Sequence, residues 1–600
     1  MTDFDNASRG FIGTLEPGVI KTQAGRLAWN NNEYDFVQRA KCPDSVHPKL
    51  WRQAQLCNKH GLFEVAPGVY QVRGFDLSNM TLVEGQKGVI IIDPLISNEC
   101  AAAAFSLYKK HRGERPLTGL IYSHSHVDHF GGARGVLPEG MENDIPIIAP
   151  EGFMEEATSE NIYVGTAMRR RARFMYGSSL PRNPEGQVGC GLGMATSQGT
   201  TSLIPPNMLI ATTGEERVID GVRIEFQIVS GTEAPSEFNF YFLDSKALYI
   251  SECATHCMHN IITLRGALVR DSKAWSQGLD ESLVLFGDRA TVLFAGHHWP
   301  TWGQRDISRL LVEQRDMYAF MHDQTVRLMN EGLTGVEIAE KLSLPPTLDK
   351  AWHIQGYYGS LSHNIKAIYQ RYMTWFDGNP VNLWRHTPTE EGKRYVACMG
   401  GADRTVAFGN EYAAKGDLRF AATLLGHVVA AEPKHPQARK SLSAVFTKLG
   451  HGAVNATWRN FYLTGAMDLQ QEGTPTLPPG DTVPGLNPLM SVDQWLSGIS
   501  VQIDGPRAAR EDIVIDIKLT DQSQTWRLTL SNGALTYRMT SDDAAFTGGA
   551  GLHLTVTKED LGQLLLARIK PEAKVFKGNP KLFHKLLQFL PWANSLESQL

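Results

Sequence analysis

Ser123-His124-Ser125-His126-Val127-Asp128-His129 follows the apolar Leu120-Ile121-Tyr122 and runs into Phe130-Gly131-Gly132. Three imidazoles and a carboxylate fall within six positions. Imidazole nitrogen and carboxylate oxygen are ligands that zinc favours. A strand ending at Tyr122 releases a loop, and alternate side chains of an extended segment point to opposite sides. His124 and His126 then face one way, Asp128 and His129 the other. One short loop can so serve two metals. A surface loop that happens to be rich in histidine is the bland alternative, but isolated histidines do not give this spacing. Two adjacent metals imply hydrolysis: one holds the substrate oxyanion and both acidify a bridging water.

The pattern His-X-His-X-Asp-His after an apolar strand resembles the metallo-β-lactamase superfamily. The resemblance implies an α/β fold, an αββα sandwich. Further parts of the signature can be matched in order. Val89-Ile90-Ile91-Ile92-Asp93 resembles its earlier strand ending in an aspartate. The resemblance makes Asp93 a hydrogen-bonding support for the His loop rather than a ligand. A strand at 222–229 leads to Ser230-Gly231-Thr232-Glu233, where the superfamily usually has Gly-His-Thr. Glu233 stands in place of the third histidine. Ala247-Leu248-Tyr249-Ile250-Ser251 ends in Glu252, where a bridging aspartate is usual. Val292-Leu293-Phe294-Ala295-Gly296-His297 supplies the last histidine, and His298 is the lesser choice there.

Both departures are to glutamate, and that pair resembles the alkylsulfatase branch, which hydrolyses sulfate esters of fatty alcohols such as dodecyl sulfate. Thr255-His256-Cys257-Met258-His259-Asn260, Leu264-Arg265-Gly266-Ala267, the segment from Gly356-Tyr357-Tyr358-Gly359 to His363-Asn364, and Tyr369-Gln370-Arg371-Tyr372 resemble it too. The likeness runs from about Trp51 to the C-terminus. It implies two zinc ions per chain. One is assigned to His124, His126 and Glu233, the other to Asp128, His129 and His297, with Glu252 bridging. Such a site is more anionic than one of three histidines, which raises the pKa of a bridging water.

A sulfate monoester leaves a poor alkoxide, so hydrolysis needs a proton donor at the ester oxygen and donors around the sulfate. His259 is the candidate acid, with His256 its rival. Asn260, Tyr357 and His363 are candidates for holding sulfate oxygens. A histidine's charge changes near neutrality, so His363 would make sulfate binding pH-dependent. Aromatic core packing accounts equally well for Tyr357 and Tyr358. Two other functions compete: a binuclear-zinc hydrolase of the same fold acting on a thioester, lactone or phosphodiester, and a lipid-binding protein with a vestigial metal site. The Glu233/Glu252 pair argues against the first and the complete ligand set against the second.

The chain has 600 residues, 42% hydrophobic and 20% charged, with a net charge of -5. That is an ordinary globular composition of several domains. The small negative charge argues against a nucleic-acid partner. The basic run Met168-Arg169-Arg170-Arg171-Ala172-Arg173 reads as a solvated helix face. No run of about 18 apolar residues predicts a membrane span. The acidic start Met1-Thr2-Asp3-Phe4-Asp5-Asn6 has no secretory core, and the seven scattered cysteines suit a reducing compartment, so a cytoplasmic location is expected.

Five parts are expected: an N-terminal arm (1–50), the catalytic sandwich (51–306), an all-α dimerisation domain (307–470), a Pro/Gly-rich linker (471–484) and an α+β domain (485–600) that resembles a sterol-carrier protein. In the resembled branch the helical domain makes a homodimer. An insertion at 156–206 is expected to cover the site and meet the tail of an amphiphilic alkyl sulfate. The apolar face Leu582, Phe583, Leu586, Leu587, Phe589 and Leu590 either lines a lipid tunnel or completes a core.

Overall fold

Valine, isoleucine and phenylalanine dominate the short runs between residues 61 and 302, and these runs build two sheets. The computed structural model describes residues 2–471, 488–540 and 549–591. The first sheet has eight strands in sequence order: Phe11–Gly13, Gly61–Ala66, Val69–Arg73, Met80–Glu84, Val89–Ile92, Leu117–Ile121, Ile147–Pro150 and Met208–Ile210. The second has six: Glu216–Ile219, Val222–Ile228, Phe238–Phe242, Ala247–Tyr249, Val292–Phe294 and Thr301–Trp302.

The period of two along each strand decides what faces what. Ile90 and Ile92 enter the core between the sheets with Phe226, Phe238, Phe240 and Phe294. Their neighbours Val89 and Ile91 turn the other way, onto Ala101, Ala104 and Tyr108 of the helix Asn98–Arg112. In the second sheet Ala247 and Tyr249 face inward. Leu248 and Ile250 face outward with Leu279, Leu310 and Leu311 of the helices Ser272–Phe286 and Gln304–Asn330. The result is helix–sheet–sheet–helix, as expected.

Strand direction positions the site. Val89–Ile92 and Leu117–Ile121 are parallel neighbours. Val222–Ile228 and Ala247–Tyr249 each pair antiparallel with Phe238–Phe242 between them, and Val292–Phe294 runs parallel to Ala247–Tyr249. Asp93, the His loop, Glu233, Glu252 and His297 therefore all leave the carboxyl ends of their strands.

Several expectations need correcting. The first fifty residues are no loose arm. Phe11–Gly13 adds an edge strand to the first sheet, and Trp29 and Tyr34 are buried in its outer core. The helix Gln304–Asn330 packs Ile307, Leu310 and Leu311 on the second sheet, so by packing it goes with the sandwich rather than with the bundle expected from 307. The insertion opens with a helix, Phe153–Met175, that includes the basic run, and Arg169, Arg170 and Arg171 are exposed on it.

The chain divides into two compact units, residues 1–157 with 169–475, and 158–168 with 476–600. In the first, the helices Ala402–Ala414, Leu418–Ala431 and Pro436–Gly452 share a core of Val406, Leu425, Val428, Leu442 and Val445. The second holds a five-stranded sheet ordered Ala534–Thr540, Gln524–Ser531, Ile513–Leu519, Leu552–Val556, Val575–Gly578. Asn532 and Gly533, both with positive φ (50° and 77°), make the tight turn between its first two strands in the chain's hairpin. Phe583, Leu586, Leu587, Phe589 and Leu590 are buried in one cluster with Ile515, Ile517 and Leu554. Five of the six residues of that face thus sit in the unit's core, with Leu582 packed against it. The expected linker lies, from residue 472 on, outside the described residues.

Phe240 is 0% exposed and packs between Phe226, Phe238, Phe242 and Tyr249 at ring distances of 4.7–5.7 Å. Phe240→Ala is expected to cost about 3–5 kcal/mol, read from urea unfolding. A loss under about 1 kcal/mol would mean that the sheets do not depend on this contact.

Candidate metal centre

The His loop turns tightly after its strand. Ser123 extends the sheet edge, and a single helical turn, Val127–Phe130, then brings Asp128 and His129 back under His124. The two imidazole centres are 4.0 Å apart. Gly296 is needed beside them: a Cβ there would lie 2.6 Å from His129 Cε1. Asp93, Ser251 and His298, all at strand ends around the site, take left-handed backbone (φ 53°, 47° and 63°). Non-glycine residues hold that conformation only where their surroundings over-determine it.

Two groups of ligand atoms result, His124/His126/Glu233/Glu252 and Asp128/His129/Glu252/His297, each within 4.8 Å. Glu252 belongs to both. Its Oε2 lies 3.4 Å from His124 Nε2, 3.3 Å from His129 Nε2 and 3.2 Å from His297 Nε2. His126 presents Nδ1, 2.8 Å from Glu233 Oε2. Asp128 Oδ2 is 3.4 Å from His129 Nε2 and 3.5 Å from His297 Nε2.

These spacings test whether a cation fits. Ligands about 2.0–2.1 Å from a tetrahedral ion lie about 3.3 Å from one another. His124 Nε2, His129 Nε2 and His297 Nε2 are buried without a hydrogen-bond partner. Buried polar atoms in such number require an occupant. The fold and the cluster are those of a divalent-metal site.

Three of the four imidazoles are aimed from behind, as metal-binding histidines are. His129 Nδ1 is 2.7 Å from Asp93 Oδ2, His297 Nδ1 is 3.0 Å from the Leu77 carbonyl, and His124 Nδ1 is 3.0 Å from Ser123 Oγ. Asp93 thus has the supporting place expected of it.

Two residues that the sequence reading missed brace the glutamates. Arg270 donates to Glu233 Oε1 and to its carbonyl, and also to Asn260 O at 2.9 Å and to Asn260 Oδ1. Burial alone would push Glu233 up, but the Arg270 guanidinium, with His126, holds its carboxyl well below the usual range. The site keeps the extra carboxylates expected of it, and one of them has an internal counter-charge in Arg270. Glu237, 0% exposed, accepts from Thr232 Oγ1 (2.8 Å) and the amides of Glu233 (3.1 Å) and Ala234 (3.1 Å) on one oxygen, and from the Glu252 amide (3.3 Å) on the other. The one available signal was chemical. A buried ligand carboxylate calls for a nearby cation, and Arg270 follows the quoted Leu264–Ala267 segment closely.

The remaining candidates separate. His259 is 1% exposed, with Nε2 2.8 Å from Glu252 Oε1 and Nδ1 3.1 Å from Asn260 O. His256 turns away: its Nε2 meets Thr301 Oγ1 at 3.2 Å and its ring stacks on Trp299 at 4.6 Å. Asn260 is beside the cluster, and its Nδ2 is buried without a partner. Tyr358, not Tyr357, is the tyrosine against His259, with ring centres 5.0 Å apart. Tyr357 packs with Val188, Leu192 and Cys257. His298 stays out of the cluster, with Nε2 2.9 Å from the Gly191 carbonyl. His363 accepts the Trp458 indole N–H on Nδ1 (3.0 Å), and its Nε2 lies 3.2 Å from the Ser360 amide nitrogen. Burial, with Lys366 and His259 adding to it, pushes His363 down to about 3. It is neutral around pH 7, so the expected switch in sulfate affinity near neutrality is withdrawn.

A two-sheet sandwich with this ligand set is a hydrolase fold of the metallo-β-lactamase class. Residues 73–297 match the metallo-beta-lactamase superfamily, 334–472 match alkyl sulfatase dimerisation, and 484–595 match alkyl sulfatase C-terminal. The chain is 45% identical over 569 residues to a linear primary-alkylsulfatase of Pseudomonas sp., spanning 94% of this chain and 84% of that one. It is 43% identical over 540 residues to the alkyl/aryl-sulfatase BDS1 of Saccharomyces cerevisiae, spanning 89% and 83%. The structure of the stereoselective inverting sec-alkylsulfatase Pisa1 from Pseudomonas sp. superposes with a TM-score of 0.93 at 40% identity, over 98% of this chain and 93% of that one. The chain belongs to the alkylsulfatase family.

Burial also pushes His256 down to about 4 and His298 to about 3. With His363, three histidines then resist protonation in the fold while the unfolded chain accepts protons at about 6.5. Their folded values are depressed, so this contribution to stability is present above about pH 6.5 and is lost as pH falls below it. As pH falls from about 6.5 to 4.5, urea unfolding should show these three sites lowering stability. His363→Gln should lower that slope by up to about 1.4 kcal/mol per pH unit. An unchanged slope would mean that His363 titrates normally.

Proposed function

We propose that this protein hydrolyses alkyl sulfate esters to an alcohol and inorganic sulfate, using two zinc ions per chain. The observation that carries the reading is the set of buried, unpartnered ligand atoms around Glu252, in a chain of this family. His124, His126 and Glu233 would hold one ion, Asp128, His129 and His297 the other, with Glu252 shared. When bound, the ions neutralise the carboxylates and make water a nucleophile near neutral pH. Arg270 keeps Glu233 ionised and its oxygen turned to the site.

His259 supplies the proton. Its ring lies between two acceptors, a carboxylate oxygen and a carbonyl oxygen, and the doubly protonated form satisfies both. From Nε2 it can pass a proton to the departing alkoxide. Asn260 Nδ2 is free to donate to a sulfate oxygen, and we assign Tyr358 the role first given to Tyr357. Tyr176 hydrogen-bonds Tyr358, which supports the part of the insertion that follows its helix as a wall for the alkyl tail.

His259→Ala should lower turnover of dodecyl sulfate by about 10²–10⁴-fold. An aryl sulfate, whose leaving group needs little protonation, should lose far less. Equal losses on both would instead make His259 a support for Glu252. Purified protein that retains fewer than two metals per chain after zinc loading, or that never hydrolyses dodecyl sulfate, would refute the wider reading.

The chain is also proposed to form a homodimer through the region of 334–472. Trp384 is 96% exposed, Val381 77% and Trp375 73%, which is unusual for large apolar side chains on a monomer's surface. Light scattering at micromolar concentration should give a dimer, and Val381→Lys with Trp384→Lys should shift it toward monomer. A wild-type monomer would remove the proposal.

A further inference from the structure

Leu77 has two roles in space. Its carbonyl takes the His297 Nδ1 proton, and its residue also lines a second cleft of about 320 Å³, open mouth included, with Lys59, Arg73, Asp76, His298 and Trp299.

Its charges do not balance. Arg73 is 4% exposed. Its guanidinium lies 3.6 Å over the Phe63 ring, one NH₂ donates to the Ala7 carbonyl at 3.0 Å, and Nε is buried with no partner. Asp76 is the one carboxylate in the wall, and its oxygens are already taken. Oδ1 accepts from the amides of Leu77 (2.8 Å) and Ser197 (2.9 Å), and Oδ2 from the Ile96 amide (3.1 Å) and Ser197 Oγ (2.5 Å). Trp299 is likewise 4% exposed, and its Nε1–H has no partner. A buried cation beside idle N–H donors lacks an acceptor, and burial without one is costly.

We propose that the cleft binds a single halide ion between Arg73, Trp299 Nε1 and the Lys59 ammonium. The donors are few, and much of the remaining wall is apolar: Leu56, Leu192 and Met194. That suits a weakly hydrated monoatomic anion. A tetrahedral oxyanion would leave corners without donors. The bound ion joins the segment after strand Val69–Arg73 to Trp299, and so fixes the Leu77 carbonyl that orients His297.

The test uses the full chain at fixed ionic strength, with sodium gluconate replaced stepwise by sodium bromide. The melting temperature should rise and saturate. Trp299→Phe removes the N–H together with one ring of the indole, and should move half-saturation about tenfold higher in bromide. Arg73→Met should abolish the saturable rise. Should that variant fail to fold, the wild type decides: crystals grown in bromide should give an anomalous peak in contact with Arg73 and Trp299. No saturable rise, the same half-saturation in Trp299→Phe, or no peak there would overturn the proposal. A sulfate titration that matches bromide at equal ionic strength would overturn the halide assignment.

Discussion

The Asp93 carboxylate holds the catalytic half of the molecule in register. It is 0% exposed and takes four donors: the Ser123 amide (2.8 Å), Ser123 Oγ (2.6 Å), His129 Nδ1 (2.7 Å) and Tyr249 Oη (2.6 Å). Ser123 and His129 belong to the loop after the first sheet, and Tyr249 to the second sheet. One buried charge therefore spans the sandwich and aims a metal-facing ring. Burial would push such a carboxyl up, but His129, with His124 and Ser123 helping, holds it below its usual range. Removing any one donor leaves a partly satisfied charge in an apolar interior, the costliest kind of polar defect. The left-handed backbone of Asp93 is affordable only inside this network.

How much of this was legible in the sequence depends on distance along the chain. The αββα core was readable because it rests on period-two patterning within runs such as Val89–Ile92. The ligand candidates were readable because five of the seven sit within five residues after such a run, and Asp128 and His129 lie only a little further along their loop. The helix Gln304–Asn330 was misplaced for the same reason. Its 3.6-period face looks alike whether it packs on a sheet or on another helix. The apolar face ending at Leu590 was equally ambiguous, since a core and a tunnel lining have the same composition. Tyr357 and Tyr358 are adjacent and share one apolar cluster, and only tertiary structure shows that Tyr358 is the one against His259.

The polar support around the ligands was not legible, and the reason is physical. Ligand type is set by local chemistry, but ligand charge is set by neighbours that arrive from elsewhere. Read alone, Glu233 and Glu252 in place of His and Asp make the site more anionic. Arg270, 37 positions after Glu233 in the chain, cancels one of those charges, and its own hydrogen bonds to Asn260 tie that correction to a residue beside the reacting groups. Glu237 couples the two glutamate turns mainly through their backbone amides, which no side-chain pattern reveals. Glu233 is therefore not a simple exchange for histidine. It comes with a guanidinium that fixes its second oxygen, so the oxygen facing the histidine cluster loses rotational freedom that an unbraced carboxylate would keep. An Arg270→Ala chain would retain every ligand type named from sequence and still present a differently charged, less ordered site. The chemistry of the centre belongs to ligand and brace together.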